Sequence, residues 1–407
     1  MRNVAFVLPY VFETSRRFLR AALHVPGLRV GVISGEPLSA LDGDTARLLA
    51  GHWQVANPLD AGHLVAGARG LGRQMGSIER LIGVLEQLQV PLAQAREALE
   101  IPGLTVDAAL KFRDKALMKD ALRQANVPVA RHCLAHSAEQ VRTFLKQVSL
   151  PVVIKPQAGA GAKNTFRVDH PAQIAEALTA FPPSAARPTL IEEFVRGREH
   201  SYDSICVDGK LVWGSVSHYE STPLEVLNND WIQWCVLLPR HVTGPQYGPV
   251  RQAAQKALTA LGMNTGMSHM EWFRRDDGSV VVSEIAARPP GAQFTSLISY
   301  AYERDMYRVW AQLVSTETFS PPDRQYAVGA VYLRGQGTGD RIVGIRGLEH
   351  AQAEVGDLVV EARLPRRGQP AVGGYEGQGY VIVRHPETQV VQQALQTISR
   401  RVRVELG

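Results

Sequence analysis

The segment His269-Met-Glu-Trp-Phe-Arg-Arg-Asp-Asp-Gly-Ser-Val-Val-Val-Ser-Glu-Ile-Ala-Ala-Arg288 is the most informative part of this sequence. Apolar and aromatic residues flank an Asp-Asp-Gly turn, which is the pattern of a β-hairpin. Glu271 and Glu284 lie at similar distances from the turn, so the pattern places these two carboxylates almost opposite each other. The two-residue periodicity of a strand also predicts that Val280, Val282 and Glu284 share one face.

Two neighbouring carboxylates on an apolar hairpin destabilise it unless a cation lies between them, and oxygen ligands favour Mg²⁺ or Mn²⁺ held together with phosphates. Arg288 follows Glu284 closely and could meet a transferred phosphoryl group. His269 lies on the Glu271 side of its strand and is a candidate neighbour of the site. Two structural alternatives stay open. In the first, Glu284 forms a structural ion pair with Arg288 and Glu271 is exposed. In the second, His269 is a core histidine whose hydrogen bonds are satisfied.

A glycine-rich loop, Ala158-Gly-Ala-Gly-Ala-Lys163, follows a predicted strand at residues 151–155. It matches neither a P-loop nor a dinucleotide-binding loop, because its glycines are closely spaced and Asn164 follows its lysine. A strand comes next, so the loop is predicted to be a flap whose backbone amides lie over phosphates, with Lys155 beneath. An ordinary hairpin turn with a solvated lysine is the alternative. The flap residues singled out are Gly159, Ala160, Gly161 and Lys163.

The segment Glu192-Glu-Phe-Val-Arg-Gly-Arg-Glu199 gives a third candidate. A buried strand ending at Phe194 and Val195 offers backbone N–H and C=O groups that can bind the edge of an adenine ring. Glu199, beyond the turn at Gly197, is placed to accept hydrogen bonds from ribose hydroxyls. A solvated acidic edge is the alternative explanation for these residues.

The composition is that of an ordinary globular protein of 407 residues, 45% of them hydrophobic and 20% charged. These values exclude disorder, collagen and coiled coil, and the length suits two or three domains. The net charge of +5 is mild and basic residues form no long run, so no nucleic-acid partner is expected. Three cysteines without close spacing argue against a disulfide framework or zinc site. No membrane segment or signal peptide is expected, and the predicted location is the cytoplasm.

The predicted fold class is mixed, α/β and α+β, in several domains. Residues 1–104 alternate strands and helices, which is typical of an α/β domain with a parallel sheet, although residues 78–88 have helical periodicity. Residues 105–315 form the predicted central domain, with a small lid at about 115–195 and a larger part at about 196–315. It opens with a helix predicted over residues 106–125. Residues 316–407 are predicted to form a small α+β domain.

The order of these elements resembles the ATP-grasp superfamily, which includes D-alanine–D-alanine ligase, biotin carboxylase and L-amino-acid ligases. The resemblance covers about residues 105–315 at the level of motifs, and both flanking regions are also similar to that superfamily's usual flanks. The run Glu284-Ile-Ala-Ala-Arg288 is more similar to the L-amino-acid ligase branch. Ala286 departs from the pattern because many members have Asn there, which leaves open how a second magnesium would complete its ligands. Lys163 and Asn164 also differ from the usual end of the flap.

The resemblance implies a role for each candidate residue. Glu271 and Glu284 are expected to bind magnesium, and Arg288 to steady an acyl phosphate. The candidate catalytic residues are Arg288, Lys155 and His269. The residues expected to bind ATP are Lys115, Lys155, Gly159, Ala160, Gly161, Lys163, Glu192, Glu193, Phe194, Val195 and Glu199.

The function implied by the resemblance is an ATP-dependent carboxylate–amine ligase. ATP phosphorylates a carboxylate, and an amine then displaces phosphate, which forms an amide or a dipeptide with release of ADP and phosphate. The expected partners are small carboxylates and amines, with Mg²⁺ or Mn²⁺, and a homodimer is the general expectation for the assembly. Two alternatives stay open, namely a bicarbonate-activating carboxylase of the biotin or purine type and a non-catalytic ATP-binding regulatory protein.

Overall fold

The N-terminal region forms a parallel four-stranded sheet with the strand order β3-β2-β1-β4. The structure is a computed structural model that describes residues 1–157, 165–180 and 182–407. Strand β1 is a continuous apolar run because helices cover both faces of the sheet. Its consecutive residues Phe6 and Val7 point to opposite faces and pack into two different core clusters. The elements are β1 (Arg2–Leu8), α1 (Glu13–Leu23), β2 (Leu28–Ser34), α2 (Gly43–Leu48), β3 (Gly51–Gln54), α3 (Ala61–Met75), β4 (Arg80–Ile82) and α4 (Gln89–Ala98).

The helix predicted over residues 78–88 is wrong. Residues 80–82 form strand β4, and residues 86–88 form one turn of 3₁₀ helix. Leu81 and Ile82 are buried where β4 pairs with β1. A short apolar run cannot be assigned to a helix or a buried strand by its periodicity alone, and here pairing with β1 decides the outcome.

The lid region contains a small antiparallel sheet with the strand order β5-β8-β6-β7. The helix predicted over residues 106–125 is in fact two helices, broken at Asp114. The extended backbone of Asp114 ends one helix, and its side chain accepts hydrogen bonds from the first amides of the next. The elements are α5 (Val106–Arg113), α6 (Lys115–Gln124), β5 (His132–Ala135), α7 (Ala138–Leu145), β6 (Val152–Pro156), β7 (Phe166–Val168), α8 (Pro171–Ala180) and β8 (Thr189–Glu193).

The largest sheet has eight antiparallel strands in the order β13-β12-β9-β10-β11-β14-β18-β17. Helix α12 on this sheet packs against α1, where the Phe18 ring centroid lies 5.1 Å from that of Trp310. The elements of the central part are β9 (Arg198–Val207), β10 (Lys210–Tyr219), α9 (Pro223–Leu227), β11 (Trp234–Leu238), α10 (Gly248–Leu261), β12 (Gly266–Arg274), β13 (Val280–Ala286), α11 (Phe294–Tyr302) and α12 (Met306–Thr316).

The C-terminal region completes this sheet and adds a three-stranded sheet with the order β15-β19-β16. The large sheet thus continues across residue 315, and the domain boundaries at 104 and 315 stay predictions. The mixture of parallel and antiparallel sheets confirms the predicted fold class. The elements are β14 (Ala327–Leu333), β15 (Gly335–Gln336), β16 (Ile342–Arg346), α13 (Leu348–Val355), β17 (Val359–Arg363), β18 (Gly379–His385), α14 (Thr388–Arg401) and β19 (Arg403–Leu406). No helix in the described residues is both long and apolar enough to span a membrane.

Strands β12 and β13 form the predicted hairpin, and Glu271 pairs directly with Glu284. The pairing slips between Glu271 and Trp272, because Trp272 pairs with Val282 and leaves an extra residue in β13. The prediction that Val280, Val282 and Glu284 share one face is therefore wrong. Val282 packs in the core with Trp272, whereas the bulge turns Glu284 to the opposite face.

We expect Asp114→Ala to lower the free energy of unfolding by about 1 kcal/mol, because two amides at the start of α6 lose their acceptor. Urea denaturation followed by circular dichroism measures this change. Asp340→Ala removes an exposed aspartate outside any helix and is the matched control. Equal stability of the two variants would contradict the capping role.

Candidate active site

Helix α6 brings two lysines to the hairpin. Lys115 Nζ lies 2.8 Å from Glu284 Oε1. Lys119, one helical turn later, is almost fully buried, and its Nζ donates to the Ser283 carbonyl at 3.1 Å. Both lysines reach the hairpin because residues four apart lie on the same side of a helix. Because α6 begins directly after the break at Asp114, the side of the helix that carries the two lysines faces the hairpin.

Glu192 is the buried counter-ion of the lid. Its two carboxylate oxygens lie 3.3 Å from Lys119 Nζ and 3.0 Å from Lys155 Nζ. Burial alone would raise the pKa of Glu192, but these two ammonium groups lower it. The pKa of Lys155 is raised, since its neighbouring carboxylates outweigh the effect of burial. The side chain of Glu192 therefore holds the lysines in place, a role that the sequence did not indicate.

The two hairpin carboxylates differ electrostatically. Burial raises the pKa of Glu271, and the negative charge of Glu284 raises it further. Burial also acts on Glu284, but Lys115 and Lys155 lower the pKa of that carboxyl group. Glu199 on β9 has a pKa well above its usual range, because it is buried and lies near Glu271. The site thus has closely spaced acidic groups whose charge is only partly balanced by lysines.

His269 lies beside this group on β12. Its Nδ1 is 2.7 Å from Oδ1 of the fully buried Asp203, and its Nε2 is 3.9 Å from Glu271 Oε1. Burial alone would lower the pKa of His269, but Asp203 and Glu271 raise it. Both carboxylates thus favour the protonated form of His269, and Asp203 is a site residue that the sequence did not indicate.

Arg288 pairs with the N-terminal region. Its Nε donates to Glu86, which follows β4, and its Nη1 donates to the Pro289 carbonyl at 2.9 Å. The alternative expectation of a Glu284–Arg288 ion pair is not what the structure has, since Glu284 pairs with Lys115 and Arg288 pairs with Glu86. Nothing near Glu86 in the sequence indicated this contact, which joins residues about two hundred positions apart.

Aromatic side chains lie beside His269. The Phe294 ring centroid is 5.6 Å from that of His269 and 6.0 Å from that of Tyr219. Trp234 packs on Tyr219 at 5.4 Å and on Tyr375 at 4.6 Å. Tyr375 follows Gly373 and Gly374 in the loop between β17 and β18. The four rings Tyr219, Trp234, Phe294 and Tyr375 are called the aromatic wall below.

Two of the candidate adenine-binding residues, Phe194 and Glu193, already have partners within the protein. The Phe194 amide already donates to the Pro151 carbonyl at 3.1 Å, and the Arg167 guanidinium lies over the Phe194 ring at 4.3 Å. Val195 follows β8 in irregular backbone, and Glu193 is paired with Arg131 at 2.7 Å. The flap residues Gly159, Ala160, Gly161 and Lys163 lie outside the described residues.

Part of the chain matches a known domain family. Residues 120–299 match the model of the ATP-grasp domain family. The chain contains an ATP-grasp domain. Its lid and central regions carry the lysines and carboxylates described above, which confirms the resemblance found from the sequence.

The ATP-grasp relatives include ligases. The chain is 22% identical over 255 residues to the L-arginine-specific L-amino acid ligase of Bacillus subtilis, covering 61% of this chain and 60% of that protein. The match thus spans about three fifths of the length of this ligase and of the D-alanine–D-alanine ligase of Sodalis glossinidius.

Two solved structures share the ATP-grasp fold along the whole chain. The L-amino acid ligase from Bacillus licheniformis has a TM-score of 0.80 at 18% identity, covering 100% of this chain and 99% of that one. The N5-carboxyaminoimidazole ribonucleotide synthetase from Thermotoga maritima has a TM-score of 0.71 at 16% identity, with 100% of both chains covered. At these identities the likeness concerns the fold.

Glu192→Gln is expected to destabilise the protein by about 3 kcal/mol, because it leaves two buried ammonium groups without a charged partner. Chemical denaturation measures the loss. Glu193→Gln is the adjacent control, since Glu193 pairs with the largely exposed Arg131 and should change stability by about 1 kcal/mol or less. Equal losses in the two variants would overturn the buried counter-ion role.

His269 predicts a pH dependence of stability. Its raised pKa means that the pair with Asp203 stabilises the fold fully below about pH 6.5, the ordinary histidine value, and that this contribution is lost as the pH rises through the folded-state pKa. The difference in unfolding free energy between wild type and His269→Gln should therefore shrink as the pH rises above about 6.5. His350→Gln at an exposed position is the control. A difference that grows with pH would contradict the assignment.

Proposed function

We propose that this protein is an ATP-dependent ligase that joins a carboxylate to an amine through an acyl phosphate, releasing ADP and phosphate. The observation that carries this proposal is the direct pairing of Glu271 with Glu284, beside Lys115 and Lys155. Phosphoryl transfer requires positioning and neutralisation of charge more than covalent chemistry from the protein. This arrangement supplies both.

The carboxylate pair fits a divalent cation. Glu271 and Glu284 are close enough that each raises the cost of ionising the other, which is the condition that a bound cation relieves. No group of three or more candidate metal ligands is found among the described residues. Mg²⁺ is commonly bound through one or two carboxylates, with phosphates and water completing its ligands. Mg²⁺ or Mn²⁺ would neutralise phosphate charge there.

The basic residues have separate tasks in this proposal. Lys115 and Lys155 hold the α- and β-phosphates of ATP, and Glu192 keeps Lys155 ordered for this contact. Arg288 exchanges its partner Glu86 for the transferred phosphoryl group and steadies the acyl phosphate. His269 contributes positive charge beside Glu271. The flap residues Gly159, Ala160, Gly161 and Lys163 are proposed to cover the phosphates and exclude water.

The nucleoside is proposed to lie against the end of β8. Backbone groups of residues 192–195 would contact adenine, with Val195 more available than Phe194, whose amide is already bonded. Glu199 would contact the ribose. Its raised pKa favours a protonated carboxyl group that can both donate and accept hydrogen bonds.

Amino acids are the proposed substrates, so the product is a dipeptide. Support comes from the L-amino acid ligase among the relatives. The aromatic wall beside His269 belongs largely to the buried core, so it supports the site by packing. The proposed setting is the cytoplasm, with small-molecule substrates, a homodimeric assembly, and neither nucleic acid nor a membrane as partner.

A carboxylase is a second candidate, because the fold is shared along the whole chain with a carboxyaminoimidazole ribonucleotide synthetase. The decisive experiment measures Mg-ATP-dependent ADP release with amino acids singly, in pairs, and with bicarbonate. We expect ADP only with a productive pair, together with a product whose mass equals their condensation. ADP release that requires bicarbonate would favour the carboxylase instead.

Glu284→Gln is expected to lower ADP formation about 100-fold or more, because one of two carboxylates facing the phosphates is lost. Steady-state ADP release against magnesium concentration measures this effect. Glu349→Gln, an exposed glutamate on α13, is the control. Full ATP turnover in Glu284→Gln at ordinary magnesium concentrations would overturn the metal-binding role.

A further inference from the structure

A second group of cations lies outside the carboxylate pair. A partly open cavity of about 60 Å³ lies where β4 and α4 of the N-terminal region meet the start of β12. Residues 102–104 and 287–289 close its remaining sides. Three guanidinium groups, from Arg80, Arg96 and Arg288, line this cavity. Glu317 is the one carboxylate among its described lining residues.

The charges around the cavity do not balance. Arg288 is paired with Glu86, and Arg80 Nη2 lies 3.5 Å from Glu317 Oε1. Arg96 donates from Nε to the Leu81 carbonyl at 2.8 Å. Within the described part of the chain, no carboxylate lies within ion-pair distance of Arg96. One positive charge is therefore left without a counter-ion inside the protein.

Arg96 is held in this position by its surroundings. Its side chain packs so closely on Gly103 that a Cβ at that glycine would come within 2.7 Å of it. Arg96 is partly buried, and this desolvation together with the positive charge of Arg80 lowers the pKa of its guanidinium to about 10. The guanidinium stays charged at neutral pH, and an uncompensated charge in such a place is costly. A bound anion would remove this cost.

We propose that this cavity is a binding site for a small oxyanion, a phosphate or carboxylate group, held between Arg80 and Arg96. The volume is several times that needed by one water molecule, and planar guanidinium groups are suited to two-point contacts with such oxygens. This site goes beyond the proposed ligase reaction and does not depend on it. Because Arg288 lines the same cavity, an anion there adds negative charge next to an arginine of the candidate active site.

The test is titration of the full-length protein with inorganic phosphate, and separately with acetate, at constant ionic strength set by chloride. Calorimetry gives the affinity, and thermal unfolding gives the rise in midpoint that accompanies binding to the folded state. Saturating Mg-ADP is present throughout to occupy the nucleotide site. The stronger of the two anions identifies the oxyanion class. Failure of both anions to bind would overturn the proposal.

Arg96→Met should weaken anion binding tenfold or more and abolish the rise in unfolding midpoint, because it removes the uncompensated charge. Arg69→Met, an exposed arginine on α3, should bind the anion like wild type. Equal binding by wild type and Arg96→Met, or equal losses in Arg96→Met and Arg69→Met, would overturn the proposal. Circular dichroism and ADP affinity check that Arg96→Met is folded.

Arg80→Met and Arg96→Lys keep the test decisive if Arg96→Met does not fold. Arg80→Met should also lose affinity, whereas Arg96→Lys should lose less than either Met variant because it retains the charge. Wild-type affinity in Arg80→Met would contradict a site between the two guanidiniums. Because none of these readouts requires turnover, failure of the ligase proposal and failure of the anion site are distinguishable.

Discussion

Neutralisation of buried charge is the constraint on which this site depends. Lys119 and Lys155 can be buried only because Glu192 lies between them, and Glu284 stays ionised because Lys115 contacts it. An ion in such a setting costs several kcal/mol unless it is paired. The pairs join helix α6, the lid sheet and the hairpin, so the requirement for neutrality also fixes how these elements sit against each other.

The β-bulge in the hairpin converts a structural strand into part of a site. Without the extra residue, Glu284 would point into the apolar core beside Val282 and Trp272. With it, the carboxylate turns towards Glu271 and Lys115. Bulges are common beside active sites because they redirect one side chain while the rest of the ladder stays intact. The close carboxylate pair is thus a product of backbone irregularity as much as of sequence spacing.

The sequence predicted those parts of the molecule that depend on local pattern. The pairing of Glu271 with Glu284 followed from turn chemistry and spacing, and the order of motifs indicated the domain family. The sequence did not predict the bulge, the strand at residues 80–82 or the break at Asp114. Hydrophobic periodicity cannot show a one-residue slip in strand pairing, nor which strand a short apolar run will pair with. Glu86 and Asp203 were missed for another reason. Each acts through a partner far away in the chain, and a single sequence gives no sign of such contacts.

The strand order of the large sheet has a consequence for how the chain is made. Strand β11 pairs with β10 on one side and with β14 on the other, and β14 in turn requires β18. During synthesis the central strands therefore present an unsatisfied edge until nearly a hundred further residues have left the ribosome. Exposed edges of this kind pair readily with other chains. The nascent protein is thus a natural client for chaperones that shield β-edges, even though its finished sheet leaves that edge fully covered.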